Sequence, residues 1–218
     1  MKRLVIFDLD GTLLNTIADL AQSTNYALAR LGYPTHEEDA YHFMVGNGIN
    51  KLFERALPEA ERCEANVLRV RAEFVPYYNL HNADKSRPYP GISELLLHLQ
   101  NAGLLLAVAS NKYQAATEQL ITHYFPHIRF AVILGQREGI PVKPDPSIVE
   151  EIVTRTGVSK EEVLYVGDSG VDMLTAKNAG VTACGVTWGF RPRSELEAQA
   201  PAHIIDQPEE ILHLIHIN

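Results

Sequence analysis

Asp8 and Asp10 flank Leu9 in the run Asp8-Leu9-Asp10-Gly11-Thr12, directly after the apolar stretch Leu4-Val5-Ile6-Phe7. In extended backbone, residues two apart point to the same side, so both carboxylates can address one site. Two carboxylates about 4 Å apart at an effective dielectric near 20 repel by roughly 4 kcal/mol. Asp168, if the chain brings it to the same place, adds to that repulsion. A phosphate dianion does not enter such a site without a cation. The all-oxygen donor set implies a hard one, most simply Mg²⁺. Lys143, in Val142-Lys143-Pro144-Asp145-Pro146, offers a second positive charge on a segment stiffened by two prolines. Taken singly, Asp-x-Asp-Gly also reads as an ordinary turn. Lys143 also reads as a surface lysine ahead of a helix capped by Asp145 or Ser147.

Two further clusters follow apolar runs. Ser110-Asn111 could bind a phosphoryl oxygen through a small hydroxyl and exposed backbone N–H groups, or could merely cap the next helix. Gly167-Asp168-Ser169-Gly170-Val171-Asp172 brackets Asp168 with glycines and sets Asp172 at a helix start, where an acid suits the dipole.

The elements that must position these groups alternate. Apolar runs at 4–7, 104–109, 131–134, 163–166, 182–186 and 202–205 read as strands, the first buried on both faces. Helical periodicity at 92–102, 114–124, 147–156 and 172–179 lies between them. The alternation predicts βαβ units: an α/β, Rossmann-like three-layer sandwich with a mostly parallel sheet. Ligands on such sheets bind at the carboxyl ends of strands, where Asp8, Ser110 and Asp168 fall. Residues 15–84 break the alternation. They read as all-helical, with helices over 18–31, 37–44, 49–57 and 60–78 and no strand. The predicted division is an α/β core of residues 1–14 and 85–218 with an inserted helical domain of residues 15–84. The return runs through Arg87-Pro88-Tyr89-Pro90-Gly91.

Composition narrows the function. The 218 residues carry 19 Lys and Arg against 27 Asp and Glu, a net −8, and no basic run, which excludes a nucleic-acid binder. With 46% hydrophobic residues the chain can build a real core. No stretch approaches the roughly 18 apolar residues of a membrane span. Asp8 and Asp10 interrupt the first apolar run too early for a signal-peptide core of about 7–15 residues. Cys63 and Cys184 form no CxxC pattern and read as free thiols, so a reducing, cytoplasmic location is expected. Nothing in the pattern sets an oligomeric state.

In their order, the four pieces resemble the motifs of the haloacid dehalogenase superfamily: Asp8-Leu9-Asp10-Gly11-Thr12, Ser110, Lys143, and Gly167-Asp168 with Asp172. The insert resembles that family's C1 cap, a four-helix lid. Val45-Gly46-Asn47-Gly48, Pro90-Gly91 and Trp188-Gly189-Phe190-Arg191 are similar to phosphoglycolate phosphatases and their relatives. The resemblance implies Mg²⁺-dependent hydrolysis of a small phosphorylated metabolite through an aspartyl-phosphate. It makes Asp8 the nucleophile and Asp10 the acid/base, with Lys143 beside them. It gives Asp8, Asp10 (by its carbonyl) and Asp168 to the metal, Thr12, Ser110, Asn111 and Lys143 to the substrate, and Asp172 to the outer shell. A β-phosphoglucomutase-like isomerase and an inorganic pyrophosphatase share the same motifs and stay open. A phosphate-accepting receiver domain also joins Asp, hydroxyl and Lys, but its Asp ends a middle strand and it has no counterpart to the insert. In the cap, Gly46 and Gly48 would expose backbone N–H groups. Lys51 and Arg55 either meet a substrate carboxylate or lie on a solvated helix face.

Overall fold

The computed structural model describes residues 1–215. Its strands are β1 (Leu4–Phe7), β2 (Leu14–Asn15), β3 (Arg87–Pro88), β4 (Leu105–Tyr113), β5 (Phe130–Gln136), β6 (Val163–Gly167), β7 (Thr182–Val186) and β8 (His203–Ile205). Its α-helices are α1 (Ile17–Arg30), α2 (Tyr41–Met44), α3 (Ile49–Ala56), α4 (Glu64–His81), α5 (Ile92–Asn101), α6 (Gln114–Tyr124), α7 (Ser147–Thr156), α8 (Gly170–Ala179), α9 (Arg193–Glu197) and α10 (Glu210–Leu214).

Six strands form one parallel sheet in the order β5-β4-β1-β6-β7-β8. β1 is central, which explains why Leu4 to Phe7 are all apolar and wholly buried. Alternate residues divide between the two faces. Val5, Phe7, Val108 and Val166 pack on one side with α5, α6 and α10. Leu4, Ile6, Ala109 and Tyr165 pack on the other with α7 and α8. From β1 the chain crosses to β4 and β5 on one side, then to β6, β7 and β8 on the other. The reversal leaves a crevice at the carboxyl end of β1, the place where open α/β sheets bind ligands. Register sets the depth: Phe7 lies level with Val108 and Val166, so Asp8 emerges beside Ala109 and Gly167.

Residues 15–84 form helices as the periodicity predicts, except that the last, α4, starts at Glu64 after a short turn rather than at 60, and a further difference lies at the segment's edges. β2 and β3 form a small antiparallel ribbon, Leu14 opposite Pro88 and Asn15 opposite Arg87. Two-residue strands are too short to leave a hydrophobic pattern. Asp19 on α1 reinforces the junction. Its buried carboxylate accepts bonds from the backbone N–H groups of Lys85 (3.0 Å) and Ser86 (2.8 Å) and from the Ser86 hydroxyl (2.7 Å). α1, α3 and α4 share a third apolar cluster, with Phe53, Phe74 and Tyr78 at its centre, onto which Ala116 and Phe190 also pack. Among the described residues no helix is long and apolar enough to cross a membrane.

Candidate active site

Four strand ends supply the site. Asp8 follows β1, and its backbone N–H donates to the Val166 carbonyl at 2.9 Å, which ties it to β6. Ser110, Asn111 and Lys112 lie inside β4, farther along the strand than its apolar run suggests. Between Ala109 and Tyr113 the pairing with β5 shifts register. Such an irregularity frees side chains from the pleat and re-aims them, a common device beside active sites. Asp168 follows β6, and Lys143 arrives on the loop after β5.

Lys143 is almost wholly buried. Its Nζ lies 3.0 Å from Asp8 Oδ1 and 2.7 Å from Asp172 Oδ1, and it donates to the Ala109 carbonyl (3.0 Å) and the Tyr165 hydroxyl (3.2 Å). Asn111 locks the loop that carries it. The Asn111 Oδ1 accepts from the Lys143 backbone N–H at 2.8 Å, while its Nδ2 donates to the carbonyls of Lys143 (3.2 Å) and Gly46 (3.0 Å). The Asn111 side chain is thus a strut between two loops. Asp172 Oδ2 accepts from the Ser169 hydroxyl (2.5 Å) and backbone N–H (3.2 Å), closing a capping box at the start of α8. Both Asp172 oxygens are therefore committed, and the residue holds Lys143.

Asp168 is held by its neighbours too. Its Oδ2 accepts from the Phe190 backbone N–H at 2.7 Å, and its Oδ1 from the Thr12 hydroxyl at 3.3 Å. Thr12, which the resemblance assigns to substrate, is wholly buried against Asp168 and does not line the cleft. The reason is the turn at Gly11, whose φ of +83° swings the chain back over Asp168. A Cβ on Gly11 or on Gly189 would collide with the Asp168 carboxylate, so the acid is gripped from two sides. Trp188 completes the grip by donating from Nε1 to the Thr12 carbonyl at 3.1 Å.

Asp8, Asp168 and Asp172 each bring a carboxylate oxygen to within 4.8 Å of the others. Were all three carboxylates ionised against the one ammonium, the charge would be −3 + 1 = −2 in a buried place. Burial, with the nearby Asp172 adding to it, pushes the Asp8 carboxyl up to about 7. Burial and the same neighbours, Asp172 and Asp8, hold Asp168 well above the usual carboxylate range. Burial works against the Lys143 ammonium, yet Asp172 and Asp8 outweigh it and hold its pKa well above the ordinary lysine value. A cage of carboxylate oxygens that ionises fully only when positive charge is added suits a hard divalent cation, and the residues present fit Mg²⁺.

Asp10 stands apart from this cluster. Its Oδ1 accepts from the Thr16 hydroxyl at 2.6 Å, and its Oδ2 lies 3.1 Å from Lys112 Nζ. Lys112, two residues beyond Ser110 on the same strand, carries no signal of its role in the sequence pattern. The Ser110 hydroxyl accepts from the Lys112 backbone N–H at 3.2 Å.

A narrow cleft opens over these groups, lined by Asp8, Asp10, Ser110, Asn111 and Lys112 on one side. The other side is the Val45–Gly48 loop with Leu20, Ile49 and Leu52. Lys51 and Arg55 do not line it. Lys51 pairs with Glu54 at 2.7 Å on an exposed face. Arg55 donates to the Met44 carbonyl (2.9 Å) and the Asn47 side chain (2.8 Å), so it shapes the loop from behind. Of the two histidines near the carboxyl terminus, His213 lies on α10 and His216 falls outside the described residues.

The model of the haloacid dehalogenase-like hydrolases matches residues 5–186. A phosphoglycolate phosphatase from Mesorhizobium japonicum is 36% identical over 93% of this chain and 90% of its own length. One from Agrobacterium fabrum is 38% identical over 94% and 89%. The crystal structure of a predicted phosphoglycolate phosphatase from Haemophilus somnus superposes with a TM-score of 0.90 at 31% identity, covering 98% of this chain and 97% of that one. With the matched region running from the first strand to the end of β7, and the charged cluster lying inside it, the chain belongs to the haloacid dehalogenase-like hydrolase family.

Proposed function

We propose that this protein is a Mg²⁺-dependent phosphomonoesterase acting on a small phosphorylated metabolite, with 2-phosphoglycolate the first candidate, and working in the cytoplasm. The observation that carries the reading is the placement of Asp8 at the end of β1, 3.0 Å from a buried Lys143 and within one small cage of Asp168. The 31–38% identical relatives bearing the name phosphoglycolate phosphatase support that substrate over the isomerase and pyrophosphatase alternatives.

Asp8, the carbonyl of Asp10 and Asp168 would hold the cation, and Asp172 would act behind them through Lys143. When bound, Mg²⁺ would neutralise the excess charge, keep Asp8 ionised and draw phosphate oxygens into place. Asp8 Oδ2 has no hydrogen-bond partner among the described residues, whereas Oδ1 is taken by Lys143 and the Leu9 N–H (2.7 Å). The free oxygen is the nucleophile. It attacks phosphorus, the bond to the leaving oxygen breaks, and an aspartyl-phosphate forms. Asp10 gives a proton to that leaving oxygen. The resulting Asp10 carboxylate then takes a proton from water as it attacks the phosphoenzyme, which releases phosphate and restores Asp8. Lys143, the Ser110 hydroxyl and the Asn111 backbone N–H offset the charge on the transferring group.

The helical segment 15–84 is assigned as a cap that carries specificity. Leu20, Val45, Ile49 and Leu52 admit only a compact substrate, and the Gly46–Gly48 backbone faces the same space. Opening lets substrate exchange, and closure excludes water. The test is phosphate release from a panel of small phosphomonoesters, with Mg²⁺ and with chelator. The proposal predicts the highest kcat/KM on 2-phosphoglycolate and no turnover with chelator. Metal-independent hydrolysis, or hexose-phosphate interconversion without phosphate release, would overturn it.

A further inference from the structure

Lys112 is a buried charge that neither the four motifs nor the mechanism above uses. Its side chain is only 2% exposed. The Nζ faces Asp10 Oδ2 at 3.1 Å, donates to the Tyr78 hydroxyl at 2.8 Å, and sits 4.7 Å above the Tyr78 ring. Tyr78 belongs to α4, in the helical segment, and is itself fully buried, stacked on Phe74 with ring centres 4.9 Å apart. Phe74 in turn meets Phe53 of α3 edge-on. The ammonium therefore joins an α/β-sheet residue to a helix of the insert, and both to Asp10. With Thr16 on the other oxygen, both Asp10 oxygens are held.

Proton transfer in a displacement demands that the acid lie within hydrogen-bond reach of the leaving oxygen. A short carboxylate reaches it from few rotamers. We infer that Lys112 is a positioning residue: through its bond to Tyr78 it transmits the seating of α4 to Asp10, aiming that carboxyl at the leaving oxygen. The inference rests on the reading of Asp10 as acid and base. Ion pairing that served stability alone would not require a cleft-lining lysine to reach a tyrosine of the facing segment. A lysine that only greeted the substrate's carboxylate would not need to spend its ammonium on Asp10.

The experiment is Lys112→Met in the full-length enzyme with Mg²⁺, read on two substrates. The leaving group of 2-phosphoglycolate needs a proton, whereas that of p-nitrophenyl phosphate does not. Losing the aim of the acid lowers kcat on 2-phosphoglycolate by about 10²-fold with KM near the wild-type value. On p-nitrophenyl phosphate, stopped flow shows a retained burst of about one nitrophenolate per site, then slow turnover, because the misaimed base limits the second step. Asp10→Asn is the reference and should show the same burst. Tyr78→Phe keeps the ring packed on Phe74 and should show a smaller loss of the same pattern, which keeps the test open should Lys112→Met fold poorly. A rise in KM confined to 2-phosphoglycolate with kcat intact would make Lys112 a substrate contact and overturn the inference. Equal losses on both substrates without a burst would reduce Lys112 to structural support and overturn it as well. If Asp10→Asn itself turns over 2-phosphoglycolate normally, the acid/base reading falls first and takes the relay with it. If only Lys112→Met departs from expectation, that reading stands.

Discussion

Replacing Lys143 by methionine removes the one ammonium inside the three-carboxylate cluster while keeping most of its volume. The distances of 3.0 Å to Asp8 and 2.7 Å to Asp172 set the scale. At an effective dielectric of about 20, each contact is worth roughly 5–6 kcal/mol of gross attraction. Most of that offsets the cost of burying the charges, so the net loss on breaking such a pair is about 3–5 kcal/mol. For a chain of this size that corresponds to a fall in Tm of about 6–20 °C. The loss should depend on pH. Without Lys143 the folded state binds protons on Asp8 and Asp168 more tightly than before. A carboxyl whose folded pKa is raised contributes stability fully present below its unfolded value and lost as pH rises through its folded value. Asp8 already stands at about 7 in the intact site. The gap between wild type and Lys143→Met therefore widens from pH 5 to pH 8. Urea unfolding of the metal-free proteins at both pH values measures it. A gap under about 1 kcal/mol, or one of equal size at both pH values, would refute the assignment of Lys143 as the buried counter-charge.

Mg²⁺ should raise Tm more at pH 8 than at pH 6, because protons compete with the cation for Asp8 at the lower pH, and equal shifts in a thermal melt would contradict this. Gly189→Ala places a Cβ onto Asp168 and the Gly11 carbonyl, so calorimetric titration should show Mg²⁺ affinity falling by at least about ten-fold, as for loss of a supporting contact at a metal site. Asp19→Ala strips the acceptor from the Lys85 and Ser86 N–H groups and should cost about 1–3 kcal/mol in equilibrium unfolding, with the Mg²⁺ dependence of activity retained.

Much of this architecture was legible from residue order because β1 and its neighbours are buried on both faces, and such strands appear as unbroken apolar runs. The groups at their ends were legible for the same reason: Asp8 and Asp168 interrupt those runs. What escaped the pattern was set by contacts distant in sequence. Nothing local marks Lys112 as buried, since its partners Asp10 and Tyr78 lie far from it along the chain. Asp19 reads as an acid in the first turn of a helix, yet it is spent on a segment 66 residues away. Thr12 and Asn111 sit where a substrate contact is expected, but their side chains brace Asp168 and the Lys143 loop. Lys51 and Arg55 share a helix face by spacing, and only the packing of the Val45–Gly48 loop shows that neither reaches the cleft.

The central claim is that the carboxylate at the end of β1 takes the phosphoryl group. Rapid acid quench after mixing the enzyme with Mg²⁺ and radiolabelled 2-phosphoglycolate, followed by peptide mapping, tests it directly. Label on the peptide bearing Asp8 in the wild type, and none in Asp8→Asn, is the predicted result. Label on a different peptide, or undiminished phosphate release by Asp8→Asn, would contradict the account.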